Sequence, residues 1–324
     1  MNSVTSSVTS SVMRIGIGLP LFLVAVASYF LFPGQLGLIA HLFILAIFAL
    51  SYDLLQGHAG VVSLGHAVFF GIGAYTTAIL GRHGVSDPLV VLVLAFLVSG
   101  AVAGLLTRIV VVGNDLTRLL VTLGIGFLFF EAANKANWLT GGADGMPDFE
   151  VGRLLGLYAF DFMGKTAFWY TLAVLAVVYL FLLLVTSSPF GVALRGIREN
   201  VRRMHAIGAP VNRHLAVTYI MSGAIAGVAG ALLAQTSRFA SLDMLGFERS
   251  AEVMMMATLG GTGSIPGVVL GAATFGYLKD MLSVISPKYW HLGIGIVLML
   301  SVFVLRSGIA GALAGLARRM ERRA

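Results

Sequence analysis

Between Ser187 and Pro210 the sequence reads SSPFGVALRGIRENVRRMHAIGAP and gathers Arg195, Arg198, Arg202 and Arg203 around one acid, Glu199. Guanidinium groups so placed can make charge-assisted hydrogen bonds to a partner's carboxylates or to anionic lipid headgroups. Phe190, Leu194, Ile197, Val201 and Met204 recur at steps of four, three, four and three, which puts one narrow apolar stripe on the other face of a helix. Glu199 stands four residues after Arg195 and four before Arg203, spacings that support a solvated helix from within. Ser187 or Ser188 with Pro189 supplies a start, and Gly208 followed by Pro210 supplies a stop. The pattern predicts one amphipathic helix over about 187–210, either lying on a membrane surface or docked in a groove of another protein.

Two glycine-rich clusters carry a second kind of chemistry. The first runs from Gly57 to His66 and on to Gly71 and Gly73, with Ser63, Gly65 and His66 as its polar centre; the second contains Gly260, Gly261, Gly263 and Ser264. Backbone unwound in a bilayer persists only where protein or water satisfies its amides and carbonyls, so these segments are candidates to line a translocation path. The plainer readings are a tight turn before a packed helix for the first cluster and a cytoplasmic turn for the second. His66 is either a hydrogen-bonded structural histidine or a group facing a solute. Asp53, Glu131 and Glu252 could serve a proton relay, although no spacing joins them into one site.

These groups sit in a chain of 324 residues that is 58% hydrophobic and 11% charged, with a mean hydropathy of +0.94. Too few charges remain to cover a soluble globule, and the composition predicts an all-α polytopic membrane protein. Runs long enough to cross a bilayer fall at roughly 15–32, 37–56, 61–81, 88–110, 116–134, 167–186, 214–236, 266–284 and 290–306. The stretch 251–259 adds a half-length or broken helix, so about nine to ten segments are expected, including broken or re-entrant ones. The first run imitates a signal peptide, but Tyr29 to Phe32 extend it past Ala25-Val26-Ala27, which favours an uncleaved first helix.

The net charge of +7 does not indicate nucleic acid, because the arginines cluster in 186–214 and in a tail bearing Arg318, Arg319, Arg322 and Arg323. Both clusters are expected in the cytoplasm, the N-terminus behind Arg14 with them, and the acidic connection 134–166 outside. Gly100 and Gly104, Gly223 and Gly227, and Gly267 and Gly271 have the spacing of close helix packing. Gly164-Lys165-Thr166 is no phosphate loop, since Ala159 replaces the glycine that motif needs. With no cysteine in the chain, disulfides and thiolate metal sites are excluded.

Four blocks together resemble the LivM-type permeases of branched-chain amino acid ABC transporters. They are SLGHAVFFGIGAYTTAIL from Ser63, LTGGADG from Leu139, ALRGIREN from Ala193 with AIG from Ala206, and LGGTGSIPG from Leu259. The resemblance implies a single permease domain over 1–324 in a bacterial inner membrane, with a cytoplasmic coupling helix at about 187–210. It implies a LivH-like second permease, two ATPase subunits that hold ATP and Mg, and a periplasmic substrate-binding protein. No cofactor is expected on this chain, and membrane lipid surrounds it. Coupling is expected from Leu194, Arg195, Ile197, Arg198, Glu199, Asn200, Val201 and Gly208. Many members of that family carry a tyrosine and a glutamine where this chain has His58 and Val61, and often an acid where it has Val201. Urea and short amides therefore stand beside branched-chain amino acids as cargo, and a proton-coupled secondary transporter is the alternative of another class.

Overall fold

The computed structural model describes Gly18 and residues 20–111, 113–147, 149–161 and 163–285, together with Leu292, Gly293, Gly295, Ile296, Met299, Gly308, Ile309 and Gly311. Arg14, most of the expected span 290–306 and the arginine tail lie outside the described residues. Helix α1 covers Pro20–Leu31, α2 Leu36–Asp53 with a π-helical turn Leu54–His58, and α3 Ala67–Arg82. Helices α4 (Pro88–Val110), α5 (Asp115–Lys135) and the single turn α6 (Asn137–Thr140) follow, then α7 (Lys165–Ser187). A charged pair, α8 (Pro189–Glu199) and α9 (Val201–Ala206), leads into α10 (Val211–Ser237), α11 (Phe247–Gly260) and α12 (Ile265–Ile285). The two-residue strands β1 (Met146–Pro147) and β2 (Phe239–Ala240) pair antiparallel.

Local sequence sets these boundaries. Asp87 accepts from the Leu89 and Val90 amides at 2.9 and 3.3 Å and starts α4 with Pro88 in its first turn. Asn114 does the same for α5 through the Thr117 amide at 2.8 Å. Among the described residues six helices are long and apolar enough to cross a membrane: α2 with its π turn, α4, α5, α7, α10 and α12. Helices α1 and α3 are apolar but shorter. The run expected at 61–81 is helical only from Ala67, because 60–66 is non-helical.

Helices α2 and α10 form the centre, and α5 is the most exposed span: 78% of the most apolar window is buried in α2 and α10 against 17% in α5. Lipid tails offer no hydrophobic drive between helices, so close approach must come from small residues. A Cβ on Gly100 would lie 3.2 Å from the Ala224 methyl, and one on Gly227 would overlap the Ser99 hydroxyl, so α4 and α10 meet glycine to small residue. A Cβ on Gly73 would overlap the Gly227 carbonyl, and one on Gly271 the Gly260 backbone. The glycine pairs expected to pack do so. At the far edge α1 leans on α7, with Phe22 edge-on to Tyr179 at 5.3 Å and Tyr29 5.4 Å from Phe168.

Candidate functional site at the arginine-rich end

The segment 187–210 is not one helix. Asn200 takes an extended conformation (φ −159°, ψ 99°) between α8 and α9, and its Oδ1 accepts the Arg203 amide at 2.9 Å. An asparagine that caps a new helix competes with continuation of the old one, and here the cap wins. The apolar stripe also divides. Leu194 and Ile197 are fully buried in the chain's own core, and Phe190 stacks on His214 at 5.3 Å. Val201 is exposed, Met204 folds back against Gly196, and Arg198, Glu199, Asn200, Arg202, Arg203 and Gly208 are exposed. Arg195 is partly buried and donates to the Thr186 carbonyl at 2.8 Å. Leu194 and Ile197 therefore fasten α8 to the bundle, and Glu199, Arg202 and Arg203 form the outward surface.

The first glycine cluster lies in the break between the π turn and α3. The Leu64 amide donates to Thr122 Oγ1 at 3.1 Å, and a Cβ on Gly65 would overlap the Thr122 carbonyl, so this break rests on α5. His66 is fully buried, with Nε2 2.9 Å from Ser51 Oγ and its ring 5.7 Å from Phe48. The Ser51 hydroxyl gives its one proton to the Phe48 carbonyl at 2.6 Å, so Nε2–H donates to Ser51 and Nδ1 is the bare acceptor. Ser222 donates to the Ser51 carbonyl at 2.6 Å and ties this knot to α10. Ser63 Oγ and His66 Nδ1 are buried with no hydrogen-bond partner among the described residues, an arrangement that marks polar sites rather than packed core. Gly71 and Gly73 are spent on packing, facing Leu245 and Gly227.

The second cluster forms the turn between α11 and α12. Gly261 and Gly263 take φ of +99° and +86°, and Ser264 Oγ accepts the Gly267 amide at 3.4 Å. Gly260 packs against Gly267 and Val268. This turn reaches Asp53 at the end of α2, whose Oδ1 accepts the Gly263 amide at 2.7 Å and whose Oδ2 lies 3.5 Å from His58 Nδ1. Arg198 of α8 donates to the Gly57 carbonyl in the π turn. The two glycine clusters thus meet beside α8, joined by Asp53. A carboxyl group this deeply buried (1% exposed) is tolerated only when its oxygens are engaged by hydrogen bonds.

The three acids read together in the sequence stand apart in space. Glu252 bridges Arg249 at 2.9 Å and Lys279 at 2.5 Å, and Glu131 lies 3.4 Å from Lys135 on the surface of α5. Sequence reasoning did not find Ser51, Ser222 or Thr122, common residues whose importance comes from contacts across 15 to 171 positions. At the opposite end of the bundle a cavity of about 640 Å³ opens between α2, α7 and α10, with His41, Asp161, Thr236 and Arg238 on its wall.

A bundle that buries polar helix breaks behind apolar walls and carries a charged helix pair on one end is that of a polytopic membrane protein. The sequence pattern of the family described as "Branched-chain amino acid transport system / permease component" matches residues 34–303, and the chain belongs to that family. It is a multi-pass protein of the inner membrane. The LivM permease protein of the high-affinity branched-chain amino acid transport system of Salmonella typhimurium is 28% identical over 81% of this chain and 67% of its own length. Its Escherichia coli counterpart is 27% identical over 73% of this chain and 60% of itself, so the chain spans about two thirds of these relatives. The Escherichia coli LivH permease protein of the same system is 25% identical over 82% of this chain and 91% of its own. A solved chain of PsaBC from Streptococcus pneumoniae in complex with Fab aligns over 88% of this chain and 96% of that one, with a TM-score of 0.42 at 14% identity.

Proposed function

We propose that this chain is one permease of an ABC importer that moves branched-chain amino acids inward across the bacterial inner membrane. Its partners are a LivH-like permease, two ATPase subunits that hold ATP and Mg, and a periplasmic binding protein; the chain itself hydrolyses nothing. One observation carries this reading: α8 is bolted to the bundle by Leu194, Ile197 and the inward-turned Arg198 while Glu199 and Asn200 are exposed. A rigidly held charged helix can deliver a partner's movement to the membrane domain, whereas a helix resting on lipid would turn its apolar face to the membrane. The α8–α9 end is cytoplasmic on this reading, and the chain crosses the membrane nine to ten times, with α11 as the half-length element.

On this reading the exposed span α5 faces the second permease, with Ser63, Gly65 and His66 just behind that seam. Gly260, Gly261, Gly263 and Ser264, at the α11–α12 turn, belong to the coupling end of the path rather than to its middle. A proton-coupled carrier is disfavoured because Asp53 and Glu252 are each committed to fixed partners.

Urea and short amides are the second reading of the cargo, since His58 and Val61 stand near the break where relatives differ. Uptake of labelled leucine, urea and acetamide by cells with and without the gene tests the cargo. ATP-dependent leucine uptake that disappears with the gene is expected, and uptake of urea alone would overturn the amino acid assignment.

A further inference from the structure

The contact beneath α8 involves three elements that are far apart in sequence. Gly57 belongs to the π turn that ends this helix, where the last carbonyls lack intrahelical partners, and Arg198 takes its carbonyl as acceptor. A Cβ on Gly60 would sit 3.3 and 3.4 Å from Arg198 Cα and Cβ, so the start of the 60–66 break presses directly on α8. A Cβ on Gly263 would sit 3.0 Å from Arg198 Nη1 and 3.1 Å from the Gly57 oxygen, so the α11–α12 turn touches the same point. Only glycine fits there, at φ +86° and in that space.

What holds the turn in place is Asp53. Its carboxylate accepts the Gly263 amide at 2.7 Å from one oxygen and faces His58 Nδ1 at 3.5 Å from the other, with the His58 nitrogen also 3.3 Å from the Asp53 carbonyl. Among the described residues no other hydrogen bond ties the Gly263 amide to α2.

We propose that Asp53 is the positioning residue that locks α8, the 60–66 break and the α11–α12 turn into one rigid unit, so that a displacement of α8 reaches both breaks together. This rests on α8 being the element moved by an ATPase. Asp53 contacts neither solute nor nucleotide; it acts through Gly263 and His58.

The experiment uses the importer purified with its partner subunits and returned to lipid vesicles. Because the chain has no cysteine, Val192→Cys on α8 and Thr258→Cys on α11, both exposed, can be spin-labelled without background. The expected result is the same distance between the labels in nucleotide-free and ATP-bound complexes, and a distance that changes with nucleotide once Asp53→Ala is added. A distance that changes by several ångströms in the parent protein overturns the proposal, whether or not the Asp53 variant folds.

The same complexes give an activity readout. Asp53→Ala should retain its ATPases and their basal hydrolysis but lose at least tenfold of the stimulation by loaded binding protein, and Asp53→Asn, which keeps an acceptor, should recover most of it. Equal loss of basal and stimulated rates would mean a merely structural role and count against the proposal. A parent chain that brings down no ATPase would instead defeat the docking reading on which it rests.

Discussion

Asp53 Oδ1 accepts the Gly263 amide at 2.7 Å across 210 positions of sequence, and with that one bond the end of the central helix α2 is fastened to the turn between α11 and α12. Arg198 reaches the same place from α8. The two glycine-rich breaks therefore meet at the end that carries the charged helices, and α5 covers the first of them.

The division of the 187–210 stripe separates stability from coupling. Leu194→Ala removes a fully buried side chain and should cost about 2–5 kcal/mol, read as a lower melting temperature and lower yield. Glu199→Lys, on the exposed face, should change stability by less than about 0.5 kcal/mol. It should nevertheless depress uptake and stimulated ATP hydrolysis together. Thermal melting and uptake assayed side by side check both.

Close packing of α3 on α10 depends on Gly73. A Cβ there would overlap the Gly227 carbonyl, so Gly73→Ala must push two helices apart and should destabilise by about 1–3 kcal/mol or more. Gly37→Ala on α2 meets nothing within 4 Å and should leave the melting temperature nearly unchanged.

Helix content was legible in the sequence because apolar length announces itself: the run expected at 88–110 coincides with α4, and the close glycine pairs meet as their spacing required. The division of 187–210 was not legible. Its stripe has perfect helical spacing, and only the side chain of Asn200, turned back onto the Arg203 amide, interrupts it. Periodicity also could not say whose core the stripe enters, and Leu194 and Ile197 enter their own. Asp53 looked like a lone intramembrane acid because its partner lies in a turn that no local pattern connects to it.

Glu252 offers a test of the alternative carrier chemistry. Glu252→Gln withdraws the carboxylate from both Arg249 and Lys279, whose side chains are mostly buried, and should cost on the order of 3 kcal/mol in stability. Uptake by whatever protein remains folded should depend on ATP as in the parent. A switch in its response to a proton gradient would make Glu252 a relay.

Asp161 governs a pH effect outside the spans. Slight burial pushes its pKa up, but the Thr166 and Lys165 amides at 3.0 and 3.3 Å outweigh this and hold it below the usual carboxylate value of about 3.9. Because the folded value is the lower one, the stabilisation is complete above the unfolded value and is lost as pH falls through the folded one. Asp161→Asn should flatten the acid limb of melting temperature against pH and leave the neutral limb parallel to the parent.

Affinity purification of the chain from its native membrane, with ATP hydrolysis measured on what comes with it, tests the central claim most directly. The account predicts a second permease and two ATPase chains, with hydrolysis stimulated by a binding protein loaded with a branched-chain amino acid. A solitary chain that takes up solute on an ion gradient, without nucleotide, would contradict it.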